Sequence, residues 1–284
     1  MTLSTASAAL EAVSDPYFVV DETGTLWEWN DTVSELTGVD DQRLSEYAAA
    51  DLFVDEDGDT VGAGVETARA SGKATIEATL RLADGSVCPY EFDLAGLEDG
   101  TVAALGRDIS ERRAQHEATQ SRERMLRGVY DVISDTDRSF EERVRALLML
   151  GRNELDVDYG TLSRIEEEEY VFEVVHTEDD TIQADEIVPL SETNCELVAT
   201  DEQTLVLSDI GTDAIEETDR DGYEEWGIAS YLGAPVFVEG EVYGTFCFYD
   251  TEPRAEPFSA WHVTLVELMS RWVGYALQRR HDHE

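Results

Sequence analysis

The sequence predicts an α+β protein in which two antiparallel-sheet domains are joined by a long helix. Three observations support this fold class. Apolar strand-length runs meet at turns containing glycine in both halves, a charged segment of helical pattern lies between the halves, and a helix with apolar residues at helical spacing follows the last strand pair. With 284 residues and an apolar fraction of 42%, the chain can build two cores. We place the domains at residues 1–113 and 138–284, with the linking helix at 114–137.

The first domain begins with two short strands, residues 17–21 and 25–29. Asn30 and Asp31 suit the start of a helix, and Gly38 suits its end. Two hairpins follow, because Asp-Gly pairs favour tight turns in which glycine takes a positive φ. Their three strands are residues 74–82, 87–94 and 101–107, and the turns are Asp84-Gly85 and Asp99-Gly100.

The end of this domain is a strand that passes directly into a charged helix. Residues 102–113 read VAALGRDISERR, with Asp108 at the junction. An aspartate carboxylate accepts the free backbone N–H groups of a first helical turn, so Asp108 suits a helix cap. Ser110, Arg112 and Arg113 follow it on the outgoing helix, and we expect the two arginines to pair with nearby acids.

The run VVDETGTLWEWNDTVSELTG at residues 19–38 and the closing Asp-Ile-Ser at 108–110 resemble a PAS sensor domain over about residues 8–113. Ser110 stands where the PAS motif usually has threonine. The resemblance implies a five-stranded sheet with helices inserted after the second strand. It also implies that Asp108, Ser110, Arg112 and Arg113 couple the sheet to a signalling helix.

A PAS domain can hold a small apolar ligand, and four aromatic residues could line such a pocket. The alternative is that they are ordinary core residues, since the sequence does not show which face each occupies. Flavin photochemistry is not supported, because the cysteine-containing NCRFLQ signature is missing. The four candidates are Trp27, Trp29, Tyr90 and Phe92.

The segment from residue 111 to about 134 has a helical pattern, charged in its first half and apolar in its second. A helix that is polar on most faces is either a connector or one strand of a coiled coil. We therefore predict a parallel homodimer through residues 111–133. The seam would consist of Met125, Leu126, Val129 and Ile133.

The second domain starts with a helix that Asp137 or Ser139 can cap. Strands at residues 160–165 and 170–176, a helix at 191–200 and a strand at 204–207 follow. The run GIASYLGAPVFVEGEVYGTFCFYD at 227–250 then reads as two strands that meet at Glu239-Gly240. The last helix covers residues 259–280.

This strand–turn–strand with Pro235, Gly240 and Gly244, closed by a helix, resembles a GAF domain over about residues 138–280. The resemblance places Cys195, in SETNCELV, on the helix that borders the GAF ligand pocket. A thiol there could attach a bilin or ligate haem, although Glu196 stands where bilin-binding GAF domains usually have histidine. The alternative is a buried structural thiol. No motif specifies haem, bilin or flavin, so the cofactor stays open.

The chain carries 64 acidic residues against 20 basic ones, a net charge of −44, and the acids are spread through both halves. This pattern resembles proteins of extreme halophiles, whose acidic surfaces stay hydrated in concentrated salt. Direct nucleic-acid binding is not expected, since it needs clustered Lys and Arg. Residues 1–10 do not form a targeting sequence, no apolar run has membrane-spanning length, and the three cysteines are far apart, so we expect a cytoplasmic protein with reduced thiols.

Catalytic motifs are missing. The sequence contains no phosphate-binding loop, no G-x-G-x-x-G, no G-x-S-x-G and no H-E-x-x-H. No metal site is predicted, since the acidic run at residues 55–59 places its glycine too early for a calcium loop. We therefore expect a non-enzyme whose output domain is absent from this chain or supplied by a partner.

The PAS and GAF resemblances together imply a signal-sensing module. It would detect a small ligand or a redox or light cue and transmit it through helices to a kinase or transcriptional output. The alternative is a scaffold that uses both domains only for dimerisation and interaction. The sequence does not identify the cue, the sensing domain or the output partner.

Overall fold

The computed structural model describes residues 13–178, 181–213 and 227–281. The chain divides into two compact units, residues 1–120 and 121–284. Each unit contains one antiparallel sheet, so the α+β fold class predicted from the sequence is confirmed. Within the described ranges, no helix has the length and apolar character needed to cross a membrane.

The first unit is a five-stranded antiparallel sheet in the order β2-β1-β5-β4-β3. Its strands are β1 (Tyr17–Val20), β2 (Leu26–Trp29), β3 (Lys73–Arg81), β4 (Val87–Gly96) and β5 (Val102–Asp108). The helices α1 (Asp31–Thr37), α2 (Asp41–Leu44) and α3 (Gly58–Ser71), with 3-10 turns at Ala49–Leu52 and Asp55–Asp57, all lie between β2 and β3.

Turn and cap residues fix these elements as the sequence predicts. Gly85 and Gly100 have φ of +86° and +85° in the two hairpin turns. Helix α1 begins after Asn30 and ends at Gly38, which takes the left-handed conformation that favours glycine. The acidic run at residues 55–59 also contributes to the fold, because the Asp57 carboxylate accepts the Thr79 backbone N–H at 2.7 Å.

The core of the first unit lies between the sheet and α3. Phe92 on β4 is fully buried at its centre, and the rings of Phe18, Phe53 and Tyr90 surround it with centroid distances of 5.2–5.8 Å. Gly96 permits α3 to approach, since a Cβ there would lie 2.4 Å from the carbonyl oxygen of Ala68.

A single helix, α4 (Ser110–Ser134), spans the division between the units. Residues 110–120 belong to the first unit and are almost entirely exposed. In the second unit, Val129 is buried in that unit's own core, and Met125 and Ile133 pack against the same core. Val129 is therefore not available to the predicted dimer seam, and Met125 and Ile133 are partly covered by their own unit, while the dimer itself stays a prediction. Leu126 remains exposed.

The second unit is a six-stranded antiparallel sheet in the order β8-β7-β6-β11-β10-β9. Its strands are β6 (Tyr159–Glu166), β7 (Glu169–His176), β8 (Ile187–Pro189), β9 (Leu205–Leu207), β10 (Ser230–Val238) and β11 (Glu241–Asp250). The helices are α5 (Phe140–Leu155), α6 (Cys195–Asp201), α7 (Ile210–Asp213) and α8 (Ala260–His281).

Both faces of this sheet are covered, and the alternation along β11 shows how. Phe246 and Phe248 face the core formed with α5 and α8. Cys247 and Tyr249 face a second core that includes residues of α6 and α7. Ser139 caps α5 through a reciprocal pair of hydrogen bonds with Glu142. Of the two capping residues that the sequence allowed, Asp137 and Ser139, the cap is therefore Ser139.

Candidate functional site

Cys195 lies at the start of α6, and its side chain is buried against the sheet. Two short segments precede it, a 3-10 turn at Leu190–Glu192 and the loop residues Thr193 and Asn194, so the predicted helix at 191–200 begins later than expected. Five side chains from the four strands β6, β7, β10 and β11 surround the thiol. Together with Cys195 they form what we call the buried thiol cluster: Thr161, Tyr170, Cys195, Tyr231, Thr245 and Cys247.

The cluster is a connected hydrogen-bond network around two sulfur atoms. The Sγ atom of Cys195 donates to the Tyr170 hydroxyl oxygen at 3.0 Å and lies 3.1 Å from the Tyr231 hydroxyl. The Sγ atom of Cys247 lies 3.8 Å from that of Cys195. Cys247 also contacts the Thr161 hydroxyl at 3.1 Å. Both thiols are thus held by hydroxyl groups inside an otherwise apolar core.

The two thiols differ in acidity. Burial raises the pKa of the Cys195 thiol, but hydrogen bonds from Cys247, Thr245 and the two phenols outweigh burial and bring that pKa below its ordinary value. Burial, together with the nearby Cys195, raises the pKa of Cys247 well above its ordinary value. Cys195 is therefore the sulfur that ionises first, and as a thiolate it can only accept hydrogen bonds from its neighbours.

A cavity of about 20 Å³ adjoins the cluster. Its walls include Cys195, Tyr170, Tyr231 and Asn194. Asn194 is 5% exposed, and its Nδ2 has no hydrogen-bond partner among the described residues. Sites for drug-sized ligands and organic cofactors occupy roughly 300–1,000 Å³. The residues around Cys195 therefore do not fit haem or a bilin in this conformation, although the cavity can take a water-sized molecule.

The aromatic residues predicted to line a pocket in the first unit have different environments. Trp27 is 72% exposed, so its assignment to a pocket is corrected: it alternates away from the core along β2. Trp29 is half-buried and donates from Nε1 to the Asp41 carboxylate at 3.0 Å. Tyr90 and Phe92 are part of the aromatic core. Ligand binding by Trp29, Tyr90 and Phe92 stays a prediction.

Asp108 is the last residue of β5, and its Oδ1 accepts the backbone N–H of Ser110 at 2.7 Å. This hydrogen bond holds the pKa of the Asp108 carboxyl below its usual range. Ile109, not Asp108, immediately precedes α4, so Asp108 binds the first turn from one residue further back than a standard cap. Ile109 is buried and donates its N–H to the Pro89 carbonyl oxygen at 3.0 Å.

Two arginines fasten the first turns of α4 to the sheet. Arg112 donates to Glu77 on β3 and to Glu91 on β4, both at 2.9 Å. Arg113 donates to the second carboxylate oxygen of Glu77 at 2.8 Å. Hydrogen bonding from Arg113 lowers the pKa of Glu77. These ion pairs agree with the expectation that Arg112 and Arg113 meet nearby acids.

Ser110 completes this region, which we call the exit junction: Glu77, Glu91, Asp108, Ser110, Arg112 and Arg113. The Ser110 hydroxyl lies 3.3 Å from the Cys88 sulfur on β4. The exit junction therefore joins the helix to β3 and β4 through residues that are 21 to 36 positions apart in sequence. Glu77 and Glu91 were not singled out by the sequence, because two acids among 64 carry no distinguishing signal.

Most residues of the buried thiol cluster also could not be singled out from the sequence. Nothing in the sequence indicates that Tyr170, Tyr231 and Cys247 meet Cys195, since the pairing of four strands brings them together. His176, the last residue of β7, accepts a hydrogen bond at Nδ1 from the Arg152 guanidinium at 2.8 Å. Among the described residues, no group of three or more His, Cys, Asp or Glu side chains could hold a metal ion.

Comparison with protein families finds two domains in the chain. Residues 10–114 match the family model described as a PAS fold, and residues 139–277 match that of the GAF domain. These matches agree with the two resemblances drawn from the sequence. No curated protein is similar to the chain.

Several solved structures are similar to parts or most of the chain at low sequence identity. The chromophore-binding domain of the bacteriophytochrome RpBphP3 from R. palustris is 14% identical, with 95% of this chain and 94% of that chain covered and a TM-score of 0.46. The GAF domain of an Acinetobacter phosphoenolpyruvate-protein phosphotransferase is 16% identical, with 56% of this chain and 93% of that chain covered and a TM-score of 0.46. The PAS domain of an HTR-like protein from Haloarcula marismortui is 23% identical, with 37% of this chain and 88% of that chain covered and a TM-score of 0.33.

Proposed function

Because the chain comprises a PAS fold followed by a GAF domain, both sensory domains, we propose that it detects a small ligand or a redox or light cue and transmits it through helices to a kinase or transcriptional regulator. The observation that supports transmission is the exit junction. There, α4 is held to β3, β4 and β5 by charged side chains and not by a flexible link.

The mechanism that we propose is a shift between two packings of the exit junction. A change in the sheet of the first unit alters the spacing of Glu77 and Glu91, which lie directly opposite each other on β3 and β4. Because Arg112 contacts both carboxylates and Arg113 contacts one, such a change moves the start of α4. A helix moves as a rigid element, so its later turns respond.

We also propose that the protein is a cytoplasmic homodimer from a halophile. The first turns of α4 are polar on most faces, and a helix of this kind needs contacts beyond its own backbone to be stable. In the second unit, large apolar side chains on α4 and α8 remain for a partner to cover. Their exposed fractions are 42% for Leu126, 64% for Tyr130, 43% for Leu268 and 61% for Tyr275.

The competing function is a scaffold that dimerises without sensing. It predicts a fixed dimer whose helices do not respond to any cue. A visible absorption spectrum of the purified protein, followed by mass spectrometry of released small molecules, would detect a bound ligand or chromophore.

The decisive test uses a histidine-kinase catalytic module fused after Glu284. Once a cue that changes kinase activity has been found, Asp108→Ala should leave the affinity for that cue within a few-fold and abolish most of the activity change. The substitution removes one capping hydrogen bond, about 1 kcal/mol, which is small beside total stability but similar to the energies that bias two-state switches.

Asp99→Ala is the matched control. Asp99 accepts the backbone N–H of Thr101 at 3.1 Å, the same kind of contact as that of Asp108, but it lies in the β4–β5 turn away from the helix. We expect this variant to respond like the wild type. A full response in the Asp108→Ala fusion would show that the junction is a passive linker and would favour the scaffold.

A further inference from the structure

The buried thiol cluster contains two cysteines whose sulfur atoms are in contact. The exit junction of the first unit does not involve either of them. Cys195 and Cys247 are 52 residues apart in sequence, and their sulfur atoms lie 3.8 Å apart. Both are free cysteines with buried side chains. The third cysteine, Cys88, is half-buried in the first unit, where its sulfur contacts a serine hydroxyl. The chain therefore offers one pair of thiols placed to react with each other and one separate thiol.

The surroundings assign different roles to the two sulfurs. The phenols of Tyr170 and Tyr231 lie 3.0 and 3.1 Å from the Cys195 sulfur and can turn their hydroxyl protons toward a thiolate. Cys247 lies in the middle of β11, paired with Thr161 on β6 and with Gly233 on β10. Among the described residues, the phenol recorded beside it is that of Tyr170, at the longer distance of 3.7 Å. Cys195 is thus the nucleophile, and Cys247 is the thiol that can resolve its oxidised form.

The small cavity beside Cys195 limits the size of a molecule that can reach its sulfur atom. Its volume of about 20 Å³ admits a water-sized molecule. Hydrogen peroxide is close to this size and both donates and accepts hydrogen bonds. The Nδ2 group of Asn194, a donor with no partner among the described residues, lies in the wall of this cavity and could bind a peroxide oxygen. Larger oxidants, such as glutathione disulfide, do not fit.

We propose that Cys195 and Cys247 are a peroxide-reactive pair that closes to a disulfide and so supplies a redox cue to the second unit. The proposal rests on the proposed sensing function for its consequence, since it specifies one cue. The chemistry itself depends only on the geometry of the cluster.

The reaction consumes one hydrogen peroxide and balances without another reactant. The Cys195 thiolate attacks one peroxide oxygen, the O–O bond breaks, and the departing hydroxide takes up the proton that the thiol released, giving water and a sulfenic acid. The Cys247 sulfur then attacks the Cys195 sulfur. The S–O bond breaks, and hydroxide leaves with the Cys247 proton as a second water. The two thiols lose two electrons, and a dithiol reductant restores them.

Disulfide formation must move α6. A disulfide bond is about 2.05 Å long, so the sulfurs must approach by roughly 1.8 Å from their present separation. Cys247 is held between β6 and β10, whereas Cys195 is the first residue of a seven-residue helix. We therefore expect α6 to move toward the sheet and the contacts of Cys195 with Tyr170 and Tyr231 to break.

The test treats the reduced full-length chain in concentrated salt with a small excess of hydrogen peroxide. We expect an intact mass lower by about 2 Da, a Cys195–Cys247 cross-linked peptide, and recovery with dithiothreitol. Cys247→Ser should stop the reaction at a sulfenic acid on Cys195, seen as an intact mass higher by about 16 Da, which dimedone labels once the protein has been unfolded. Cys195→Ser should abolish oxidation at Cys247. Cys88→Ser is the matched control and should react like the wild type.

The phenols provide a second readout that simple proximity of the thiols would not produce. Tyr231→Phe keeps the ring but removes the hydroxyl that faces Cys195, so we expect the rate at neutral pH to fall by about tenfold, because the thiolate is the reactive form. The wild-type rate should rise with pH and level off below about 8.5, the ordinary pKa of a cysteine.

Three results would overturn the proposal: no change in mass, oxidation of Cys88 before Cys195, or a disulfide between chains. These failures leave the proposed function standing, since the Asp108→Ala fusion tests transmission without the cysteines. If the disulfide forms but peroxide does not change the activity of the kinase fusion, the reaction is confirmed and its role as a cue is contradicted. If the fusion responds to peroxide in the wild type but not in Cys195→Ser, both parts hold.

Discussion

Gly244→Ala is expected to destabilise the second unit by about 3 kcal/mol, because the new methyl group would overlap the backbone of a neighbouring strand. A Cβ at Gly244 on β11 would lie 1.9 Å from the carbonyl oxygen of Ser163 on β6. Backbone cannot rotate aside as a flexible side chain can, so the pairing of β6 with β11 must open. For a unit of this size, we expect the melting temperature in concentrated salt to fall by roughly 6–12 °C.

Gly128→Ala is the matched control in the same unit. Gly128 lies inside α4, and a Cβ there would be 3.6 Å from the Leu150 side chain, an ordinary contact. Alanine favours a helix over glycine by about 1 kcal/mol, so this variant should be more stable than the wild type. Equal effects of the two substitutions on the melting temperature would contradict the close pairing of β6 with β11.

In about 10 mM potassium chloride, we expect the protein to lose most of its tertiary structure, since the Debye length reaches about 30 Å and exposed charges repel across a whole domain. The net charge is −44. Among the described residues, Arg152 is the one charged side chain that is buried, so the acids of those ranges lie at or near the surface. At 1 M salt the Debye length is about 3 Å, and this repulsion is screened.

Circular dichroism and tryptophan fluorescence across a potassium chloride series measure this dependence. Sucrose at low salt is the control, because it favours compact states through exclusion from the protein surface without screening charge. Recovery of structure with salt but only slightly with sucrose would assign the effect to charge repulsion. A fully folded protein at about 10 mM salt would contradict the halophile proposal.

Local signals in the sequence were sufficient to predict most secondary structure. The Asp-Gly turns and the left-handed Gly38 each depend on residues next to them in the chain, so their positions can be read directly, whereas the cap of α5 could be narrowed only to Asp137 or Ser139. The three-residue strand β8 was missed, because so short a run carries no alternation. The second half of α4 shows a further limit: spacing reveals which face of a helix is apolar but not which molecule covers it.

The candidate sites were predictable only in part, for a related reason. Asp108 and Arg112 could be singled out, since the junction of strand and helix lies within a few residues. Their partners Glu77 and Glu91 could not, because pairing between strands determines them. Cys195 was recognised from its resemblance to a position in GAF domains, whereas its contacts with Tyr231 and Cys247 depend on tertiary structure.

The central claim is that α4 carries a change from the sheet of the first unit to its own later turns. Hydrogen exchange measured by mass spectrometry tests this directly in wild type, Asp108→Ala and the control Asp99→Ala, without knowledge of the cue. In Asp108→Ala we expect amides in residues 110–113 to exchange about fivefold faster, the equivalent of about 1 kcal/mol. We also expect exchange to increase measurably in residues 121–134, which belong to the second unit. If the increase in Asp108→Ala were confined to residues 110–113, or if Asp99→Ala produced the same profile, α4 would be a linker and the account of transmission would be contradicted.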